Sequence, residues 1–329
     1  MSLGINKAAK RPEATKALRP VDRPIFITGL GRSGTTIIHT LLSKHPNANW
    51  LSLLVAKFPD RLYLNRWLLR AMDIPLLNLY LKWRFVPLEN YPFWDHYYGG
   101  FGYPGRDLFA SDVDLSTAKA IRKAFSQLLT GKKNRVLIKI TGAPRISFLH
   151  AIFPDAKFVH VTRDGRPVVA SRMKAPFWNG WRGWRGFSLW PERMPVHYEQ
   201  EWERHNHSFV ALAGIEWKGH IDQMKEVRRD YPHIRVLEVR YETFCAEPVE
   251  QLRQIAEFCE LEWTESFENQ MKHEYVSSEN SKWREQFTAE QQAILEDVLA
   301  ERLIEQGYDV AAEITRSAPA PRPDVTQAS

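Results

Sequence analysis

The chain has 329 residues, of which 44% are hydrophobic and 26% charged, with 12 Trp and 2 Cys. These proportions exclude a disordered chain, a collagen-like fibre and a disulfide-rich mini-protein, and the length suits one large α/β domain. The net charge is +6, which raises a nucleic-acid or membrane-surface partner. Most of it sits at the ends: residues 1–23 carry +4 and residues 316–329 carry +1, leaving +1 for 24–315. Both ends are rich in Ala, Pro and basic residues and read as mobile tails around a single domain over 24–315. A nucleic-acid partner would need the charge in the folded part, so none is expected. Cys245 and Cys259 form neither a CxxC pair nor a framework, which predicts no metal and a reducing, cytoplasmic location. No signal-peptide core and no run of 18 apolar residues occurs.

Ile25–Thr28 is a short apolar run that predicts a buried strand. A glycine-rich loop follows and opens a helix over Thr35–Ser43. Residues 50–130 read as a helical insertion covering the site. Within it, Leu62 to Trp83 is the most apolar stretch, interrupted by Arg66, Arg70, Asp73 and Pro75. It reads as a buried or lid-forming helix pair, with a membrane-surface helix as the alternative. Strands are predicted at Val136–Ile140 and Phe158–Thr162, then a helix at Pro167–Met173 with proline in its first turn. A helix over Glu199–Leu212 precedes a strand at Val236–Val239. Helices at Val249–Glu260 and Thr288–Gln306 complete the pattern, the last closed by Gly307. Strands alternating with helices predict a doubly wound α/β fold, a three-layer sandwich with a central parallel sheet. Ligands of such folds bind at the carboxyl ends of the strands.

The sharpest local feature is Gly29-Leu30-Gly31-Arg32-Ser33-Gly34-Thr35-Thr36. Its glycines permit positive-φ turns that aim successive amides at an anion, and the helix N-terminus adds partial positive charge. Gly29 and Gly34 match the spacing of the nucleoside-triphosphate loop GxxxxGK[ST], but Thr35 stands where that loop has lysine. That argues against ATP or GTP hydrolysis, because the lysine reaches the distal phosphates. The cation lies inside the loop instead, at Arg32. A second element runs Val161-Thr162-Arg163-Asp164-Gly165-Arg166-Pro167-Val168-Val169-Ala170-Ser171. Arg163 at a strand end and Ser171 in the following helix suit a second phosphate.

Together the two elements resemble the sulfotransferases that use 3′-phosphoadenosine-5′-phosphosulfate (PAPS) and release the 3′,5′-bisphosphate (PAP). The resemblance spans roughly 24–300, with Arg240-Tyr241-Glu242-Thr243-Phe244 and Glu247-Pro248 as a weaker third element. It implies that amides and hydroxyls of Gly31, Ser33, Gly34, Thr35 and Thr36 hold the 5′-phosphate. Arg32 would stabilise the leaving phosphate, Arg163 and Ser171 would hold the 3′-phosphate, and Tyr241 would approach the adenine. Lys282, Trp283 and Arg284 are further cofactor candidates. Lys139 matches a catalytic lysine of the family's Lys-x-His pattern, but Thr141 replaces the histidine. The general base therefore falls among Glu89 first, then His96 and Asp95. Ile37 replaces a tryptophan that stacks on adenine in many relatives.

The stretch Phe177–Phe187 alternates aromatic, Arg and Gly residues. Trp178, Trp181, Arg182, Trp184 and Arg185 are candidates for contact with a small-molecule, glycan or lipid acceptor, with loop packing as the alternative. Peripheral membrane contact is compatible with this reading. Two rival functions remain at this stage: a P-loop small-molecule kinase, and an inactive binding protein on the same fold.

Overall fold

A computed structural model of the chain describes residues 19–102, 106–186, 194–274, 276, 280 and 282–309. In chain order the elements begin with β1 (Ile25–Gly29), α1 (Thr35–Leu42), β2 (Ala48–Asn49), α2 (Leu53–Lys57), α3 (Leu62–Ala71), α4 (Pro75–Arg84), α5 (Tyr91–Tyr97) and α6 (Leu115–Leu128). Next come β3 (Arg135–Thr141), α7 (Ile146–Ile152), β4 (Lys157–Thr162), α8 (Gly165–Met173), α9 (Val196–Arg204) and α10 (Phe209–Asp230). The chain ends with β5 (Val236–Arg240), α11 (Tyr241–Ala246), α12 (Pro248–Phe258), α13 (Glu265–Lys272) and α14 (Ala289–Glu305).

The five strands form one parallel sheet in the order β2-β3-β1-β4-β5. All four predicted strands are present; β2, only two residues long, carries too little pattern to be read from sequence. Alternation along the strands divides the core. Phe26, Ile138 and Phe158 face a cluster with α5, α6 and α7, whereas Ile25, Ile27, Leu137 and Val159 face one with α1 and α12. A third cluster joins α8, α10 and α14. β1 lies between β3 and β4, so the carboxyl ends of three strands, at Gly29, Thr141 and Thr162, stand side by side.

Three expectations need correction. The helix predicted over Glu199–Leu212 is two helices, because Asn206 and His207 adopt left-handed backbone between α9 and α10. α10 runs for 22 residues and is buried on most sides, so it has little amphipathic signal to read. Residues 19–23, assigned to a mobile tail, are tied to the body: Arg19 donates to the Thr130 carbonyl at 3.2 Å, and Arg135 donates to the Arg23 carbonyl at 2.8 Å. The expected tails at 1–18 and 316–329 lie outside the described residues. The Leu62–Trp83 stretch does form a helix pair, but its members differ. α3 buries Leu62, Asn65, Leu68 and Leu69, whereas α4 buries no residue.

Candidate active site

The glycine-rich loop joins β1 to α1. Gly34 stands at φ 95°, and no side chain caps the helix it precedes, so the first-turn amides of α1 point out of the loop. Gly34 is also the only residue type that fits there, since a Cβ would lie 2.1 Å from Cδ2 of Tyr241. The Tyr241 ring thus packs directly on the loop. The Arg163 guanidinium sits over the same ring, 4.3 Å from its centroid. Arg163 donates to the Arg32 carbonyl at 3.1 Å and, through Nε and Nη2, to the Asn280 side-chain oxygen at 3.1 and 2.7 Å. Asn280 in turn donates to Glu242 at 3.1 Å, and so does the Asp164 amide. Arg32 Nε donates to the Ser171 hydroxyl at 2.8 Å.

Two cavities meet at Arg32 and Phe177, which line both. The first, about 610 Å³, is bounded by Arg163, Ser171, Lys174, Tyr241, Lys282 and Trp283. Four cations line it (Arg32, Arg163, Lys174 and Lys282), and among the described residues no carboxylate does. A polyanion carrying an aromatic base fits that donor set: amides, hydroxyls and guanidinium groups for phosphates, aromatic faces for a ring. Lys174 was not anticipated, although it lies three residues beyond Ser171. Arg284 lines neither cavity; its guanidinium lies 4.8 Å from the Trp283 ring centroid. Ile37 also lies off the cavities, packed against the core under α1.

The second cavity, about 500 Å³, lies over the ends of β1 and β3. Lys139 reaches into it from β3. Its Nζ is 2.8 Å from the Thr36 hydroxyl and 2.9 Å from a Glu89 carboxylate oxygen. The other Glu89 oxygen accepts the Thr141 hydroxyl at 3.1 Å. Tyr91 closes the group by donating to the Thr141 carbonyl at 2.8 Å. Burial, reinforced by the nearby Glu89 charge, pushes the Tyr91 hydroxyl up to about 12, so it remains a neutral donor. Glu89 and Tyr91 arrive together because Asn90 between them adopts a left-handed turn at the start of α5. Of the three base candidates, Glu89 stands in this group. Asp95 lines the same cavity and accepts the Gly102 amide at 2.8 Å. His96 does not: it is exposed on α5 against Tyr97 and lines neither cavity, because neighbouring helical residues such as Asp95 and His96 point about 100° apart.

Sequence reasoning missed three further charged groups. Arg172 and Glu216 form a buried ion pair on the wall of the second cavity, with Arg172 Nε 3.1 Å from the carboxylate. Nothing in their spacing marks them, since they come from α8 and α10. Arg145, buried at the start of α7, donates to the carbonyls of Phe101 and Ala143 at 3.0 and 2.7 Å. Of the Phe177–Phe187 stretch, Phe177, Trp178 and Asn179 line the second cavity; Phe187 lies outside the described residues. Trp181 and Trp184 do not line it, and they carry Arg182 and Arg185 over their rings at 4.6 and 5.4 Å.

Comparison with known proteins agrees with this geometry. The family model described as "Sulfotransferase family" matches residues 24–265. Omega-hydroxy-beta-dihydromenaquinone-9 sulfotransferase Stf3, from Mycobacterium bovis and from Mycobacterium tuberculosis, is 24% identical over 88% of this chain and 76% of its own length. The crystal structure of sulfotransferase STF9 from Mycobacterium avium superposes with a TM-score of 0.55 at 19% identity, covering 88% of this chain and 78% of that one. The fold is therefore that of a solved sulfotransferase, and the family model covers most of the chain, including both phosphate elements and Lys139: the protein belongs to the sulfotransferase family.

Proposed function

We propose that the first cavity holds the donor nucleotide, 3′-phosphoadenosine-5′-phosphosulfate, and that the second holds an acceptor hydroxyl on a largely apolar body. The observation that carries this is the position of Lys139 Nζ, which joins the phosphate-loop hydroxyl of Thr36 to the carboxylate of Glu89. One ammonium group thus touches both the donor end and the acceptor end of the site. The donor supplies an activated sulfuryl group on a good leaving phosphate. The chain's own residues do the rest. The α1 amides at Ser33–Thr36 orient the 5′-phosphate, while Arg163, Ser171 and Lys282 bind the 3′-phosphate and Tyr241 and Trp283 flank the adenine. Glu89 accepts the acceptor's proton as its oxygen attacks sulfur in line. Arg32 and Lys139 neutralise the charge that grows on the departing phosphate oxygen. Thr141, standing where relatives carry histidine, holds the carboxylate that takes over as base.

The second cavity supports this acceptor class. Phe177, Trp178 and Tyr91 give it apolar walls, and Glu89 and Lys139 lie among them. The named acceptor of the Stf3 relatives is a hydroxylated dihydromenaquinone, and a hydroxyl on an apolar body is the class these walls accept. Neither rival is favoured. No lysine stands in the first turn of α1 to serve a kinase, and an inactive binding protein has no use for a carboxylate held by both Lys139 and Thr141. Calorimetry supplies the test. PAP should bind with micromolar affinity or better, ATP with magnesium should not, and Arg32→Ala should weaken PAP. Equal binding of ATP–magnesium would overturn the donor assignment.

A further inference from the structure

α4 presents its apolar stripe to solvent. Leu76, Leu79, Tyr80 and Trp83 fall at i, i+3, i+4 and i+7, the spacing of one helix face, and are 82%, 61%, 73% and 83% exposed. A surface helix ordinarily turns such a stripe to the core. The preceding helix, α3, exposes Tyr63 and Trp67. The α4 stripe is an exposed apolar and aromatic surface of the kind that marks an interaction site.

Its charges are of one sign. α3 and α4 contain Arg66, Arg70, Lys82 and Arg84 and no acidic residue. Asp73, in the turn between them, pairs with Lys133 at 3.2 Å. Lys82 lies 5.8 Å from the Trp83 ring centroid, so cation and aromatic project from the same edge. A second copy of the chain would bring this basic surface against itself in a two-fold contact, which like charges oppose. An anionic surface complements it. Leu, Trp and Tyr on one face with Lys and Arg at its margins is the composition of a helix that lies in a lipid interface. No helix among the described residues is long and apolar enough to cross a membrane, so the contact is a surface one.

We propose that α4, with α3 before it in the chain, docks the protein on an anionic lipid bilayer, with the Leu76–Trp83 stripe seated at the headgroup level. The segment leaving α4 runs through Phe85–Leu88 directly into Glu89, so the docked helix is joined by a short stretch of chain to the wall of the second cavity. The proposal stands on α3 and α4 alone and does not depend on which acceptor or donor is used.

Flotation of the full chain with vesicles tests it, in the absence of any substrate. Binding is expected to vesicles mixing phosphatidylcholine with phosphatidylglycerol, weaker binding to phosphatidylcholine alone, and loss at high salt. The triple variant Leu76→Glu, Leu79→Glu, Trp83→Glu should lose at least about tenfold in partitioning. Its thermal midpoint should be unchanged, since α4 buries nothing. Brominated lipid should quench wild-type tryptophan fluorescence, and less so in Trp83→Phe. The proposal is overturned if the wild-type chain stays in solution, if the triple variant floats equally well, or if light scattering shows a dimer that the triple variant dissociates.

Discussion

Arg32 Nε and Ser171 Oγ, 139 residues apart in sequence, are hydrogen-bonded at 2.8 Å. The bond closes the phosphate loop onto α8 and fixes the distance between the sites proposed for the 5′- and 3′-phosphates. Arg163 adds a second tie by donating to the Arg32 carbonyl. The two motifs are therefore tied into one unit, and the proposed function lays a single mononucleotide across it.

Removing Arg163 should be felt in PAP affinity. The side chain lines the first cavity, and loss of a charge-assisted hydrogen bond costs about 1.5–3 kcal/mol, or roughly 10–100-fold in Kd. Calorimetry on Arg163→Ala should show that drop, with a smaller one for Ser171→Ala. Unchanged affinity in both would move the 3′-phosphate elsewhere.

Glu89→Gln keeps the shape of the side chain and removes proton acceptance. If Glu89 is the base, kcat for sulfuryl transfer falls about 10²–10⁴-fold while PAP affinity holds. His96→Ala, on an exposed face, should leave both within twofold or so. A fully active Glu89→Gln enzyme would falsify the assignment.

Gly34→Ala tests how tightly Tyr241 seats on the loop. The new Cβ meets the ring at 2.1 Å and the backbone is at φ 95°, so we expect a destabilisation of about 1–3 kcal/mol and loss of PAP binding. Adding Tyr241→Ala removes the clash but not the backbone strain. Denaturant melts of the double variant should therefore recover only part of the loss seen in the single one.

The Arg172–Glu216 pair is buried beside the second cavity. Glu216→Ala leaves a guanidinium without its carboxylate partner and should cost about 3–5 kcal/mol in urea unfolding. Replacing both by apolar residues of similar volume should restore much of that stability, as expected when the penalty is an unpaired charge rather than lost packing.

Acid should destabilise the fold through buried histidines, among them His39, His160 and His220. Burial lowers His39 and His220 from 6.5 to about 3, with the Lys139 charge adding to the effect at His39 and Arg172 at His220. The folded values are depressed, so the stability contribution is present above pH 6.5. As pH falls towards 3, the unfolded chain takes up protons that the folded one refuses. Each site then removes about 1.4 kcal/mol per pH unit. Urea midpoints measured between pH 7 and pH 5 should fall, and His220→Gln should flatten the decline. A flat wild-type profile would contradict it.

The sequence by itself determined the parts whose chemistry is local. The strand, the glycine loop and the helix after it are consecutive, so backbone sterics and the dipole of α1 define an anion site without help from the rest of the chain. The step from Arg163 to Ser171 is legible for the same reason, as a strand end followed by a helix. Only the tertiary structure separates Glu89, which Lys139 and Thr141 contact, from Asp95 and His96. That separation depends on β3 pairing beside β1, which sets Thr141 opposite Gly29 and brings Lys139 under Thr36 and Glu89. It depends equally on the turn at Asn90, which sends Glu89 and Tyr91 to Thr141 while His96 faces solvent. The outward stripe of α4 and the Arg172–Glu216 pair were hidden likewise. Amphipathic spacing states that a helix has an apolar face, and packing alone states whether anything covers it.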